Sequence, residues 1–153
     1  MEKKYRLDLD DSITVCGETL YRIIAIRNFR NVRKGELGGY IHNDSNLSHD
    51  GDCWVGTNAR VSGRARVSGH AQVYGEAEVF GDTQVYDYAK VYGNAQVGDD
   101  AQVYGNAKVY GDAKVYGHAR VYGDAKVYGH ARVCGDALVY DYDKVYGHHV
   151  EAY

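Results

Sequence analysis

The chain has 153 residues, 25% of them charged and 44% hydrophobic, with a formal net charge of −3, the balance of a single soluble globular domain. No apolar run is long enough for a signal peptide or a membrane span, so a cytoplasmic location without membrane contact is expected. Cys16, Cys53 and Cys134 are odd in number and unpatterned, which argues against a disulfide framework or a zinc site; no metal and no cofactor are expected.

Residues 1–40 read as an N-terminal β-rich cap. The runs Lys4–Leu9, Ile13–Cys16 and Thr19–Ile26 have strand composition, with Gly17-Glu18 as a hairpin turn between two of them. Arg27, Arg30, Arg33 and Lys34 make the following loop basic. A run of this kind is either a solvated loop or a patch for phosphate or an acidic partner.

A period of six then takes over. Ile41 and Leu47 are six apart, with Ser45 in the small inward position. Leu47 to Val55 is eight, which predicts a two-residue bulge near His49-Asp50-Gly51. From Val55 to Val145 a valine stands at every sixth residue, sixteen in all, within the hexad V-Y-G-D/N/H-A-K/R/Q. In the segment A-K-V-Y, alternation turns Ala and Val to one side and Lys and Tyr to the other. Gly, Asp, Asn and His are the residues enriched at positive φ, so each G-D, G-N or G-H pair predicts a corner. A unit this small buries nothing alone and must stack on copies of itself.

Three hexads per coil give coherent columns. Residues eighteen apart then align Tyr74, Tyr92, Tyr110, Tyr128 and Tyr146 beside Lys90, Lys108, Lys126 and Lys144, and on another face Tyr86, Tyr104, Tyr122 and Tyr140. With these motifs the region resembles the hexapeptide-repeat proteins. The resemblance implies an all-β fold, a triangular left-handed parallel β-helix of about six coils over residues 41–147, with the N-terminal cap before it and a tail, His148–Tyr153, after it. The hand comes from the family, since crossover rules alone favour the right. One departure is Tyr at the second hexad position, where the family often has Gly. Leu20-Tyr21-Arg22-Ile23, Gly35–Ile41, Asn46–His49 and Cys53-Trp54-Val55 also resemble the head of small phage, prophage and bacterial hexapeptide-repeat proteins. That places the chain in a host cytoplasm, with a host protein, a defence component included, as partner.

The family implies two chemistries. Many members are acyltransferases using acetyl-coenzyme A and a catalytic His. Here His70, His118, His130 and His148 occupy corner positions and only His49 lies in an insertion, so His49 is the sole catalytic candidate. Carbonic-anhydrase-type members bind a metal through three converging His. The column Asp112, His130, His148 has the wrong spacing, and Asp–His corner pairs, Asp112 with His130 and His118 with Asp136, account for it. From Ile41 onward ten Lys/Arg face fifteen Asp/Glu, too balanced for a strong nucleic-acid binder and too weak for a DNA mimic. Nucleic-acid binding is therefore the alternative reading. The leading one is a non-catalytic scaffold that binds a protein through Lys90, Tyr92, Lys108, Tyr110, Lys126, Tyr128, Lys144 and Tyr146. Asp143 in an inward position and Asp141 in a Gly position leave the last coil poorly closed, from which a homo-oligomer is expected.

Overall fold

The computed structural model describes residues 2–152, and the final tail residue, Tyr153, lies outside them. Each hexad forms a strand of two to four residues and a corner. The strands pair in parallel at an 18-residue step on three walls, as in Lys90 with Lys108, Gln102 with Arg120 and Gln96 with Lys114. One wall contains six strands, one for each coil. Every valine from Val55 to Val145 is at most 5% exposed, and the intervening alanines complete an apolar core one side chain deep on each wall.

The corners explain the glycines. At Gly93, φ is +66° and an added Cβ would lie 2.9 Å from the Gly111 nitrogen one coil on. Asp87, Asp99 and Asp141 take the same position with φ of 55–58°. Asp87 and Asp99 accept hydrogen bonds from the backbone N–H of Gly105 and Gly117 on the next coil, offsetting part of the left-handed backbone cost. The corner histidines stand one residue later, where φ is not positive, so their positions reflect ladder pairing rather than backbone conformation. His130 faces Asp112 at 3.7 Å as expected. His118 pairs with Asp100 of the preceding coil at 3.5 Å, not with Asp136.

The first coil is built on Ile41, Leu47 and Val55, opposite Val61, Val67 and Val73. Its two extra residues fall between Leu47 and Val55, where Gly51 (φ +68°) lies against the Gly69 carbonyl. Ser45 does not point inward: a 3-10 turn over Asp44–Asn46 exposes it and buries Asn46 instead. The Asn46 side chain accepts from the N–H of His42 and Asn43 and donates to the carbonyls of Gly63 and Ala65.

The cap consists of β1 (Tyr5–Val15), β2 (Glu18–Ala25) and β3 (Leu37–Ile41). The two expected runs in residues 4–16 are one strand, irregular between Asp8 and Ser12. The hairpin turn is Cys16-Gly17, one residue earlier than expected, with φ of 49° and 81°, the conformation a two-residue type I′ turn needs. β2 pairs antiparallel with β3, and β3 pairs parallel with Arg60–Val61, so the cap extends one wall to nine strands. Tyr5, Ile23 and Phe29 are buried in one apolar cluster with the first coil, with Phe29 edge-on to Trp54 of that coil at 5.3 Å. At the other end the tail is a strand, His149–Ala152, laid on Arg132–Gly135. Asp141 and Asp143 are exposed there.

Candidate functional site

The wall carrying the lysines is regular because its outward positions follow the strand alternation. Lys90, Lys108, Lys126 and Lys144 are in direct register. Two residues on, Tyr74, Tyr92, Tyr110, Tyr128 and Tyr146 stack at centroid spacings of 4.8, 4.9, 5.1 and 5.5 Å, with interplanar angles of 3–21°. The expected partner-binding residues are thus brought onto one face. Burial, then the neighbouring phenols Tyr74 and Tyr110, raises the Tyr92 pKa; burial, then Tyr128, does the same for Tyr110. These two phenols are therefore held neutral. Among the described residues none of the four lysines makes an ion pair, whereas the basic loop of the cap is partly compensated: Arg30 lies 3.4 Å from Asp52 and Arg27 3.7 Å from Glu2. The second ladder, Tyr86, Tyr104, Tyr122 and Tyr140, stacks at 4.9–5.4 Å, but its strands carry Gln84, Gln102, Arg120 and Leu138 in the lysine position.

His49 has a different setting from that of a catalytic base. It is 7% exposed, stacked on Tyr5 at 4.1 Å. Its Nδ1 accepts from the Lys4 N–H at 3.2 Å, which fixes the proton on Nε2, 3.1 Å from Asp44. Neither ring nitrogen has a lone pair left to take a substrate proton. Beside it, the buried Lys4 Nζ donates to the carbonyls of Gly51 and Cys53 and lies 3.3 Å from the Cys53 sulfur. Burial lowers the Lys4 pKa and raises that of Cys53. The ensemble pins the two-residue insertion beneath the cap.

Two features were not found from the sequence. A half-open groove of about 330 Å³ runs between the hairpin tip and the solenoid, lined by Val15, Cys16, Glu18, Ser62 and Phe80 among others. It exists because the Glu18 carboxylate accepts from the Gly63 N–H at 2.8 Å and holds the tip over the wall. At the C-terminal end, Cys134, His149 and Glu151 bring one potential ligand atom each to within 4.8 Å of one another. Cys134 carried a signal, as the only cysteine in a tyrosine position. The partners did not, because an 18-residue step would set Ala152, not Glu151, opposite it.

Residues 59–75, 101–117 and 113–129 match the family model described as the YdcK beta solenoid repeat. The matched segments lie within the hexad region and span under a third of the chain. They make it similar to repeat β-helix proteins, in agreement with the stacked parallel walls. No curated protein matches the chain in sequence. Among the described residues no helix is long and apolar enough to cross a membrane.

Proposed function

We propose that this β-solenoid is a non-catalytic scaffold that binds an acidic protein surface through the lysine-tyrosine wall. The observation that carries this reading is the column of four lysines in strand register with no ion pair among the described residues. Like charges directly opposite in a sheet are destabilising, so the column costs stability that an acidic strip on a partner would recover. The adjacent tyrosine ladder adds flat, rigid, amphipathic area, and Tyr is enriched at protein interfaces. The committed histidine nitrogens at His49 favour the scaffold over an acyltransferase. The likeness of the head to small phage and prophage hexapeptide-repeat proteins supports a host protein as the partner, a defence component included, in a host cytoplasm.

Changing Lys108→Glu and Lys126→Glu together tests the wall. The thermal transition is expected to hold or rise, since Lys90 and Lys144 then face carboxylates, while capture of the partner from host lysate is lost. Undiminished capture by the folded double variant would place the site elsewhere. Capture abolished by nuclease treatment would move the assignment to nucleic acid, for which aromatic platforms beside cations also serve.

A further inference from the structure

We infer that Cys134, His149 and Glu151 form a binding site for a borderline-soft divalent cation of the zinc class, which fastens the final strand to the last full coil. His149 and Glu151 alternate on one strand and so project to the same side of the wall. Cys134 lies directly opposite Glu151 on the neighbouring strand, while His149 is opposite Arg132. The corner at Gly147-His148 is one residue shorter than the others, so Val150 pairs with Val133 after 17 residues. That shortening is what brings a carboxylate and an imidazole beside the thiol.

The separations suit a shared ion. Cys134 Sγ is 2.9 Å from His149 Nε2, and Nε2 is 3.3 Å from Glu151 Oε2. Ligands at ordinary Zn–S, Zn–N and Zn–O lengths in a tetrahedron stand about 3.4–3.6 Å apart, so the imidazole and carboxylate are already at that spacing, the thiol and imidazole must open by about half an ångström, and the sulfur and carboxylate, within 4.8 Å of each other, share the same centre. Both the sulfur and the carboxylate converge on the same imidazole nitrogen. One N–H cannot serve two acceptors equally at that point, whereas a cation serves all three. In a nucleophilic Cys-His pair the acid would instead lie on the other ring nitrogen, as in the triad arrangement. The sulfur is shielded, since Cys134 is 5% exposed. His149 and Glu151 are more open, which leaves a fourth coordination position to solvent.

Binding replaces the thiol S–H by an S–metal bond and releases that proton to water. The imidazole gives up its Nε2 proton to water and takes one on Nδ1, staying neutral overall, and coordinates through Nε2, while the carboxylate binds as the anion. Sulfur, nitrogen and oxygen donors together select zinc-class ions over magnesium or calcium, which prefer oxygen alone. This ion would tie the strand His149–Ala152 in place where the core is least covered and Val150, the last inward valine, is only partly buried.

The test uses the untagged full chain, titrated with Co²⁺ and then Zn²⁺. One equivalent of Co²⁺ should bind with a thiolate-to-metal charge-transfer band that Zn²⁺ removes, and Zn²⁺ should slow amide exchange at Val150 and Glu151. Cys134→Tyr restores the residue of the repeat and is expected to fold; it and His149→Ala should abolish the band and weaken binding by about tenfold or more. Cys16→Ser, which removes the exposed thiol, should leave the band intact. If Cys134→Tyr fails to fold, Cys134→Ser is measured in the same way. No saturable Co²⁺ binding, a band that survives loss of Cys134 in a folded variant, or unchanged exchange at the final strand with metal bound would each overturn the proposal.

Discussion

Thr83 takes an inward position that the repeat gives to alanine in most of its hexads. It is fully buried, and its Oγ1 has no hydrogen-bond partner. An unmade buried hydrogen bond costs about 1–3 kcal/mol, while replacing the hydroxyl by an apolar group of the same shape removes that cost. Thr83→Val should therefore raise stability by about 1 kcal/mol, read as a higher denaturant midpoint with an unchanged slope. Asn46 is the contrasting residue. It is equally buried but satisfied by four backbone groups, so polarity at an inward position is tolerated where the backbone answers it. His49 belongs with Asn46: its ring fills space against Tyr5 and closes hydrogen bonds to Lys4 and Asp44.

Among the elements, a polar junction ties the three cap strands together and reaches the solenoid at Thr57, in addition to the contacts of Lys4, Glu18 and Arg30 with the coils. Arg22 on β2 donates to the Asp11 carboxylate and the Tyr40 hydroxyl, each at 2.7 Å, and to the carbonyls of Gly38 and Thr57. Tyr40 on β3 in turn donates to Asp11 at 2.7 Å. The hydrogen bond from Tyr40, followed by that from Arg22, holds the Asp11 carboxyl below its ordinary 3.8. A depressed folded pKa contributes stability above the unfolded value and loses it as pH falls through the folded one. The junction should thus weaken on acidification below 3.8. Asp11→Asn should be less stable than the parent at neutral pH, with the difference closing at acidic pH in thermal melts. Because the Asp11 side chain is only half-buried, the difference should be small and reduced by salt.

On the scale of the whole molecule, stability is carried by stacked coils that each touch only their neighbours. Val103 is fully buried in a middle coil, paired with Val85 and Val121. An aspartate there would place an unpaired charge in a core one side chain deep. Val103→Asp should abolish the cooperative thermal transition seen by circular dichroism. The two ends of the stack are unequal: the cap covers the first coil, while among the described residues no further strand pairs with His149–Ala152. Unpaired strand edges pair with other chains, and we propose that a second copy covers this one. Deleting residues 148–153 should change the solution mass measured by light scattering, and an unchanged mass would exclude end-on assembly.

The hexad determined the walls by itself. Alternation turned valine and alanine inward and glycine or aspartate turned the corner, while the 18-residue register was legible only because like residues fall into columns at three hexads per coil, since a period of six alone leaves the number of hexads per coil open. The two-residue insertion near Gly51 was legible for the same reason, as a break in a strict count. Tertiary structure decided what happens where repetition stops. The hairpin turn settled on Cys16-Gly17 because two positive φ values suit a type I′ turn. Asn46 displaced Ser45 from the interior because it could satisfy four backbone groups. The last corner dropped one residue, so Cys134 met Glu151 and not Ala152. A repeat specifies its contacts locally, whereas an end is specified by whichever distant segment best satisfies its exposed backbone and core.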